Sequence, residues 1–388
     1  FPGGRLNTCF NAVDRHVAAG RGAQAAIIWD SPMTGRVETI TYAQLHAITG
    51  KVANALRELG LRPGDHVALS CPNVPYFPIV YFGILRAGCV VVPLNVLLKP
   101  REIAYHLQDS DAKAYFCFEG TAELPMAAWG REAAAAVDAC EHFVVMTTDP
   151  TAMTGPEGTR TLAALMAPQP VGFATQARRP DDTAVILYTS GTTGQPKGAE
   201  LTHANLQFNA WGCADLYQSF LDTHAGARNV VLITLPLFHS FGQVTQMLAG
   251  LTLGQTLVLL PRFDPAAVLD AMRRERVNCW SGVPTMFWAL KEHVAAAGEN
   301  VSSIREHLRV CTSGGAAMPV EVMRRFEGLF GVRVLEGYGL SETSPVATFN
   351  YATRPSKPGT VGTPLLGVEV AVVDPMDRPV KTGEVGEV

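Results

Sequence analysis

The chain reads as an α/β protein: two subdomains with largely parallel sheets flanked by helices, then the start of a small β-barrel-like subdomain. Three observations predict this. Short continuous apolar runs, suited to strands buried on both faces, recur along most of the 388 residues. Longer stretches with apolar residues at helical spacing lie between them. The two kinds alternate, as they do when crossover helices join parallel strands.

Residues 41–59 set Tyr42, Leu45, Ile48, Val52, Leu56 and Leu59 on one helical face. Thr41 with Gln44 makes a capping box, and Gly60 is the stop. The turn Pro63-Gly64-Asp65 leads into a strand at 66–70. A helix is expected at 76–87, then a strand at 89–92 that Pro93 terminates. The polar stretch at 147–180, containing Pro and Gly, is the expected boundary between a first subdomain (1–170) and a second (171–350). Strands follow at 184–187, 230–233, 256–260, 308–312 and 332–336. Helical patterns lie between them at 264–275, 284–295 and 319–329. Asp264 is placed as N-cap and Pro265 at the first helical position. Gly, Pro and Thr dominate 354–364. Residues 367–373 then read as a strand and Asp374-Pro375-Met376-Asp377 as a turn, which opens the β subdomain at 351–388.

Composition is that of an ordinary globular protein, with 47% hydrophobic and 17% charged residues. The net charge of −4 makes nucleic acid an unexpected partner. Arg273-Arg274-Glu275-Arg276 reads as a solvated helix face. The eight cysteines form no C-x-x-C pair, which argues against a zinc or redox motif. Most sit in apolar runs, as small core residues do, and a reducing cytoplasm fits them. No signal peptide or transmembrane helix is expected. The most apolar region, 78–96, is broken by Arg86, Gly88 and Pro93. The chain begins at Phe1 and stops within Gly386-Glu387-Val388, ends expected of an excised piece.

Four segments carry chemistry. The first is Tyr188-Thr189-Ser190-Gly191-Thr192-Thr193-Gly194-Gln195-Pro196-Lys197-Gly198, directly after the apolar run 184–187. Glycines let backbone N–H groups approach phosphate oxygens closely, hydroxyls add donors, and Lys197 adds positive charge. Its spacing is not that of G-x-x-x-x-G-K-[ST], which disfavours a P-loop. The second is Gly337-Tyr338-Gly339-Leu340-Ser341-Glu342-Thr343, after the strand at 332–336. A carboxylate there can reach a Mg²⁺ that bridges phosphates, and Tyr338 can lie flat against a base. The alternatives are a core tyrosine and a helix-terminal charge. The third is Leu235-Pro236-Leu237-Phe238-His239-Ser240-Phe241-Gly242, where His239 stands at a strand's C-terminal edge. The fourth is Thr312-Ser313-Gly314-Gly315-Ala316-Ala317-Met318-Pro319, small enough to admit a flat ligand.

Together these segments resemble the adenylate-forming (AMP-binding) superfamily, which includes acyl-CoA synthetases, luciferase and the adenylation domains of peptide synthetases. The first looks like its phosphate-loop signature. Tyr338-Gly339-Leu340-Ser341-Glu342-Thr343 looks like its adenine and magnesium signature, with Ser341 where Thr is usual. Ser313-Gly314-Gly315-Ala316 is similar to its adenine-side loop, and Lys357-Pro358-Gly359-Thr360-Val361-Gly362 to a later glycine motif. Order and spacing match from about residue 25 to the end.

The resemblance implies ATP-dependent activation of a carboxylic acid to an acyl-adenylate, then a thioester with CoA. It implies that Thr189, Ser190, Gly191, Thr192, Thr193, Gly194 and Lys197 hold the β- and γ-phosphates. Ser341 would bind the α-phosphate and Glu342 a Mg²⁺. Gly315, Ala316, Gly337, Tyr338 and Gly339 would surround adenine. His239, Phe241 and Thr245 would form the acid's wall with Gly314 and Gly315 opposite, and Val283 or Trp280 either adds to the pocket end or is core. Lys197, Ser341, Glu342 and His239 are the implied catalytic set.

No acid stands in Phe238-His239-Ser240-Phe241 to pair with an amino acid's ammonium. That segment looks most like those of medium-chain, long-chain and aryl-acid CoA ligases. The opening Gly3-Gly4-Arg5-Leu6-Asn7 resembles acetyl- and propionyl-CoA synthetases instead. The pocket segment takes precedence because it would touch substrate, so a medium- or long-chain fatty acid is expected. The alternatives are a short-chain or aryl acid, an acyl carrier protein as thiol acceptor, and a chain that only binds. A cytoplasmic protein is expected, peripheral to a membrane if the acid is long. The family's ribose-binding aspartate and C-terminal lid, with its lysine, are not among the 388 residues, so weak ATP binding and little thioester formation are expected of them alone.

Overall fold

In a computed structural model, residues 6–31, 36–189, 194–221, 228–355 and 357–388 are described. Their strands form two sheets. The first has six strands in the order β6-β5-β3-β4-β7-β8. In chain order its members are β3 (His66–Ser70), β4 (Val90–Pro93), β5 (Ala112–Phe118), β6 (His142–Met146), β7 (Thr183–Thr189) and β8 (Lys197–Thr202). All pair in parallel except the β7–β8 hairpin. The second sheet has nine strands, ordered β15-β14-β13-β12-β11-β9-β10-β1-β2. It joins β1 (Ala25–Ser31) and β2 (Arg36–Thr41) to β9 (Val230–Ile233), β10 (Thr256–Leu259), β11 (Cys279–Gly282), β12 (Val310–Ser313), β13 (Val334–Gly339), β14 (Val346–Phe349) and β15 (Thr363–Pro364). Its centre is parallel and its two ends are antiparallel hairpins.

Alternate residues of each strand face different cores, as the two-residue repeat of a strand requires. Val67, Leu69, Phe116, Val185 and Leu187 from the first sheet share one buried cluster with Ile27, Val231, Ile233, Leu257 and Leu259 from the second. The helices Tyr42–Glu58, Tyr76–Arg86 and His203–Gln218 supply that cluster too. The far face of the second sheet is covered by Pro265–Arg274, Pro284–Ala297 and Val320–Phe330. The helices Pro100–Asp109 and Met126–Ala135 cover the far face of the first. Strands sandwiched this way need apolar side chains on both faces, which is why they read as continuous apolar runs.

The expected caps are present. Thr41 accepts from Gln44 N at 3.2 Å and Gln44 returns the bond at 2.8 Å, while Asp264 Oδ1 accepts from Ala267 N at 2.9 Å. Two expectations change. Residues 367–373 are not a strand. Only Val373 forms isolated bridges, to Pro379 and Glu387, because no neighbouring strand offers a ladder. The stretch 147–180 does not separate two sheets: β7 and β8 beyond it pair with β4, while β1 and β2 from the chain's start pair with β10. All eight cysteines are buried thiols. Among the described residues no helix is long and apolar enough to cross a membrane.

Candidate active site

Parallel strands place their following loops at one sheet edge. The third segment follows β9 in this way, while the second and fourth begin in the last residues of β13 and β12 and run on into the loops beyond them. The first is the connection of the β7–β8 hairpin in the other sheet. Its register sets Thr189 opposite Lys197. Ser190, Gly191, Thr192 and Thr193 lie outside the described residues, as do Gly3, Gly4 and Arg5. Gly194 has φ +116°, a conformation that favours glycine, and Lys197 is exposed.

The loops meet. Ser240 Oγ and Ser341 Oγ are 3.4 Å apart, joining the third segment to the second. The Phe241 ring lies over Gly314, where an added Cβ would stand 3.2 Å from ring carbons and 3.5 Å from the Gly337 carbonyl oxygen. The fourth segment therefore touches both. The helical turn Ser341–Thr343, which carries Glu342, packs beside β8. Thr189 and His239 line one cleft of about 790 Å³, bordered by the helix Pro100–Asp109.

Within this site the residues differ in character. His239 is exposed at the cleft, and its Nδ1 accepts from Phe241 N at 3.2 Å. The protein packed around it disfavours the charged imidazolium and lowers its pKa. Phe241 and Thr245 lie on one helical stretch, Phe241–Leu248. Thr245 is buried and returns its hydroxyl to the Phe241 carbonyl, so it offers a wall no free donor. Val283 stands 3.4 Å from a Cβ placed on Gly315. Trp280 is core: it is fully buried, donates to Thr234 Oγ1 at 3.0 Å and packs on Phe287 and Phe326.

Gly315 has φ +79° and, with Ala316, is exposed. Tyr338 is half-buried and pairs with Thr348 across the β13–β14 hairpin. Gly337 and Gly339 have a packing reason to be glycine, because β-carbons there would run into Phe349 and the Pro345 carbonyl. Glu342 is exposed and its carboxylate has no partner among the described residues. No cluster of three metal-binding side chains occurs among them either. A lone exposed carboxylate is compatible with Mg²⁺, which takes one or two carboxylates and fills its other positions with phosphate and water.

Two supports escaped the sequence. Asn209, on the helix His203–Gln218, donates to Val346 O at 2.8 Å and Thr343 O at 3.4 Å, and accepts from Val346 N at 3.2 Å. It fixes the turn that carries Ser341 and Glu342. Glu336 accepts from Met318 N at 3.0 Å and so ties β13 to the fourth segment. A lone Asn in a helical pattern and a Glu inside a strand carry no local mark of such roles.

The AMP-binding enzyme family model matches residues 14–388. The chain belongs to that family. It is 34% identical over 354 residues to a feruloyl-CoA synthase of Amycolatopsis sp, covering 90% of this chain and 64% of that protein. A long-chain-fatty-acid–CoA ligase of Bacillus subtilis (strain 168) is 33% identical over 83% of this chain and 59% of its own length. The crystal structure of ATP-bound MatB from Rhodopseudomonas palustris superposes with a TM-score of 0.83 at 30% identity, over 98% of this chain and 69% of that one. The chain thus spans less than two thirds of the curated relatives just named. Membership in the family bears out the resemblance read from the four segments.

Proposed function

We propose that this chain forms the site at which ATP activates a carboxylic acid to an acyl-adenylate, whose acyl group then passes to the thiol of coenzyme A. The observation that carries this is that the second, third and fourth segments meet beside the described stem of the first, with Ser240 Oγ 3.4 Å from Ser341 Oγ as the contact between the acid side and the phosphate side. The chemical difficulty is that two anions must meet, so charge on the triphosphate has to be offset before a carboxylate oxygen attacks the α-phosphorus.

Thr189, Gly194 and Lys197, with residues 190–193, take the β- and γ-phosphates, and Lys197 faces the departing pyrophosphate. Each charge-assisted hydrogen bond there contributes about 1.5–3 kcal/mol. Ser341 binds the α-phosphate. Glu342 would hold a Mg²⁺, which would supply positive charge against the phosphates. Tyr338, Gly315 and Ala316 flank adenine, and Gly337 and Gly339 keep β13 close enough to β14 to hold Tyr338 in place. Burial lowers the pKa of His239 and so favours its neutral form, which adds no cation to pair with the acid. The names of the relatives support coenzyme A rather than a carrier protein as acceptor.

The acid lies against Phe241 and Gly314. No carboxylate stands in Phe238-His239-Ser240-Phe241 to receive an ammonium, which favours an acid without an amine, and we assign a medium- or long-chain fatty acid. The close packing of Phe241 on Gly314 also suits a flat aryl acid, the second reading. Titration with non-hydrolysable acyl-adenylate mimics separates them. The dodecanoyl mimic is expected to bind tightest. A tighter feruloyl mimic selects the aryl reading, and a tighter acetyl or aminoacyl mimic rejects both.

A further inference from the structure

We infer that the helix Pro100–Asp109 positions the phosphate-binding hairpin and that Tyr105 and Asp109 are its positioning residues, an inference that rests on the functional reading above. Tyr105 and Asp109 are four apart and share one helical face. The Tyr105 hydroxyl donates to the Pro196 carbonyl at 2.7 Å, one residue before Lys197. Asp109 Oδ2 accepts from the Tyr188 hydroxyl at 2.6 Å, one residue before Thr189. One helix face therefore holds the hairpin on both sides of its connection: at Tyr188, just outside the Thr189–Lys197 pair in β7, and at Pro196, just inside it before β8.

The hairpin needs such a hold. β8 is the edge strand of its sheet, paired on one side only. Strand register keeps Thr189 opposite Lys197 but does not fix the hairpin's end against the rest of the molecule. The helix supplies a firm base, since Ile103 and Leu107 are buried on the outer face of the sheet. Its start is capped by Glu102, which accepts from Lys99 N at 2.8 Å. The His106 ring packs edge-on against Tyr188, centroids 4.3 Å apart. Burial and the Asp109 carboxylate both raise the pKa of Tyr188, so its hydroxyl keeps its proton and remains a donor.

Calorimetry on the 388-residue chain tests this with two ligands: ATP–Mg²⁺, and a non-hydrolysable acyl-adenylate mimic that lacks β- and γ-phosphates. Tyr105→Phe and Asp109→Ala are each expected to weaken ATP about fivefold, the equivalent of one hydrogen bond's alignment. The mimic should change less than about twofold, because it does not use Lys197. Asp109→Asn keeps an acceptor for Tyr188 and is expected to bind ATP as the unsubstituted chain does, which also guards against a folding defect in the alanine variant. Equal weakening of both ligands would mean a general structural role and overturns the inference. So does unchanged ATP affinity in Tyr105→Phe and Asp109→Ala while Lys197→Ala still weakens it. If the unsubstituted chain binds no ATP, the functional reading falls and the positioning role with it.

Discussion

Glycine recurs through the candidate site for two different physical reasons, and they predict different defects. At Gly314 a methyl group would press on the Phe241 ring at 3.2 Å, close enough to push the ring by a few tenths of an ångström. Gly314→Ala should weaken binding of the dodecanoyl-adenylate mimic several-fold and leave ATP affinity nearly unchanged, as paired titrations would show. At Gly339 the obstacle is the Pro345 carbonyl of the returning strand, which cannot yield without moving the backbone. Gly339→Ala should lower folding stability by about 3 kcal/mol, measured by urea unfolding. A third prediction concerns Asn209. Asn209→Ala removes the bonds to Val346 and Thr343, should cost about 1–3 kcal/mol in stability, and should weaken ATP–Mg²⁺ more than ATP alone. The glycines were legible because a motif marks them. Their causes were not, since Phe241, Pro345 and Phe349 approach from elsewhere in the chain.

Elements show the same division. Strands buried on both faces announce themselves as apolar runs, so β3 and β9 match their expected bounds. Helix starts were legible where the capping residue is local, as at Thr41 and Asp264. Asp264→Ala should cost about 1 kcal/mol, read from the urea midpoint, through loss of the bond from Ala267 N. The supposed strand at 367–373 fails because alternation of apolar residues marks a capacity to pair, while pairing needs a neighbour. The helix Pro100–Asp109 shows the opposite case. It was not singled out in the sequence, yet Tyr105 and Asp109 on it hold the hairpin at Pro196 and Tyr188.

The two sheets are stitched together by chain crossing. β1 and β2 leave the N-terminal part to extend the second sheet, and β7 and β8 leave the central part to extend the first. Buried Arg86 also ties the helix Tyr42–Glu58 to residue 173, donating to His46 O at 2.7 Å, Thr49 Oγ1 at 3.1 Å and Phe173 O at 2.9 Å. Residues 1–170 alone should therefore not fold, which circular dichroism of that piece would check. Two buried histidines should give the molecule an acid-side weakness. His16 and His203 are pushed down to about 4 by burial first and nearby arginines second. The unfolded chain binds protons at these sites between pH 6.5 and 4 and the folded chain does not, so stability falls as pH drops through that window. The loss is on the order of 3 kcal/mol per imidazole, and urea midpoints across that range should flatten in His203→Gln. Loops from both sheets are proposed to form one site for ATP-dependent acid activation. ATP–pyrophosphate exchange by the protein carrying this chain tests it most directly. Exchange should require dodecanoate and Mg²⁺ and should be lost in Lys197→Ala and Glu342→Gln. Exchange that proceeds without an acid, or that survives both substitutions, would contradict it.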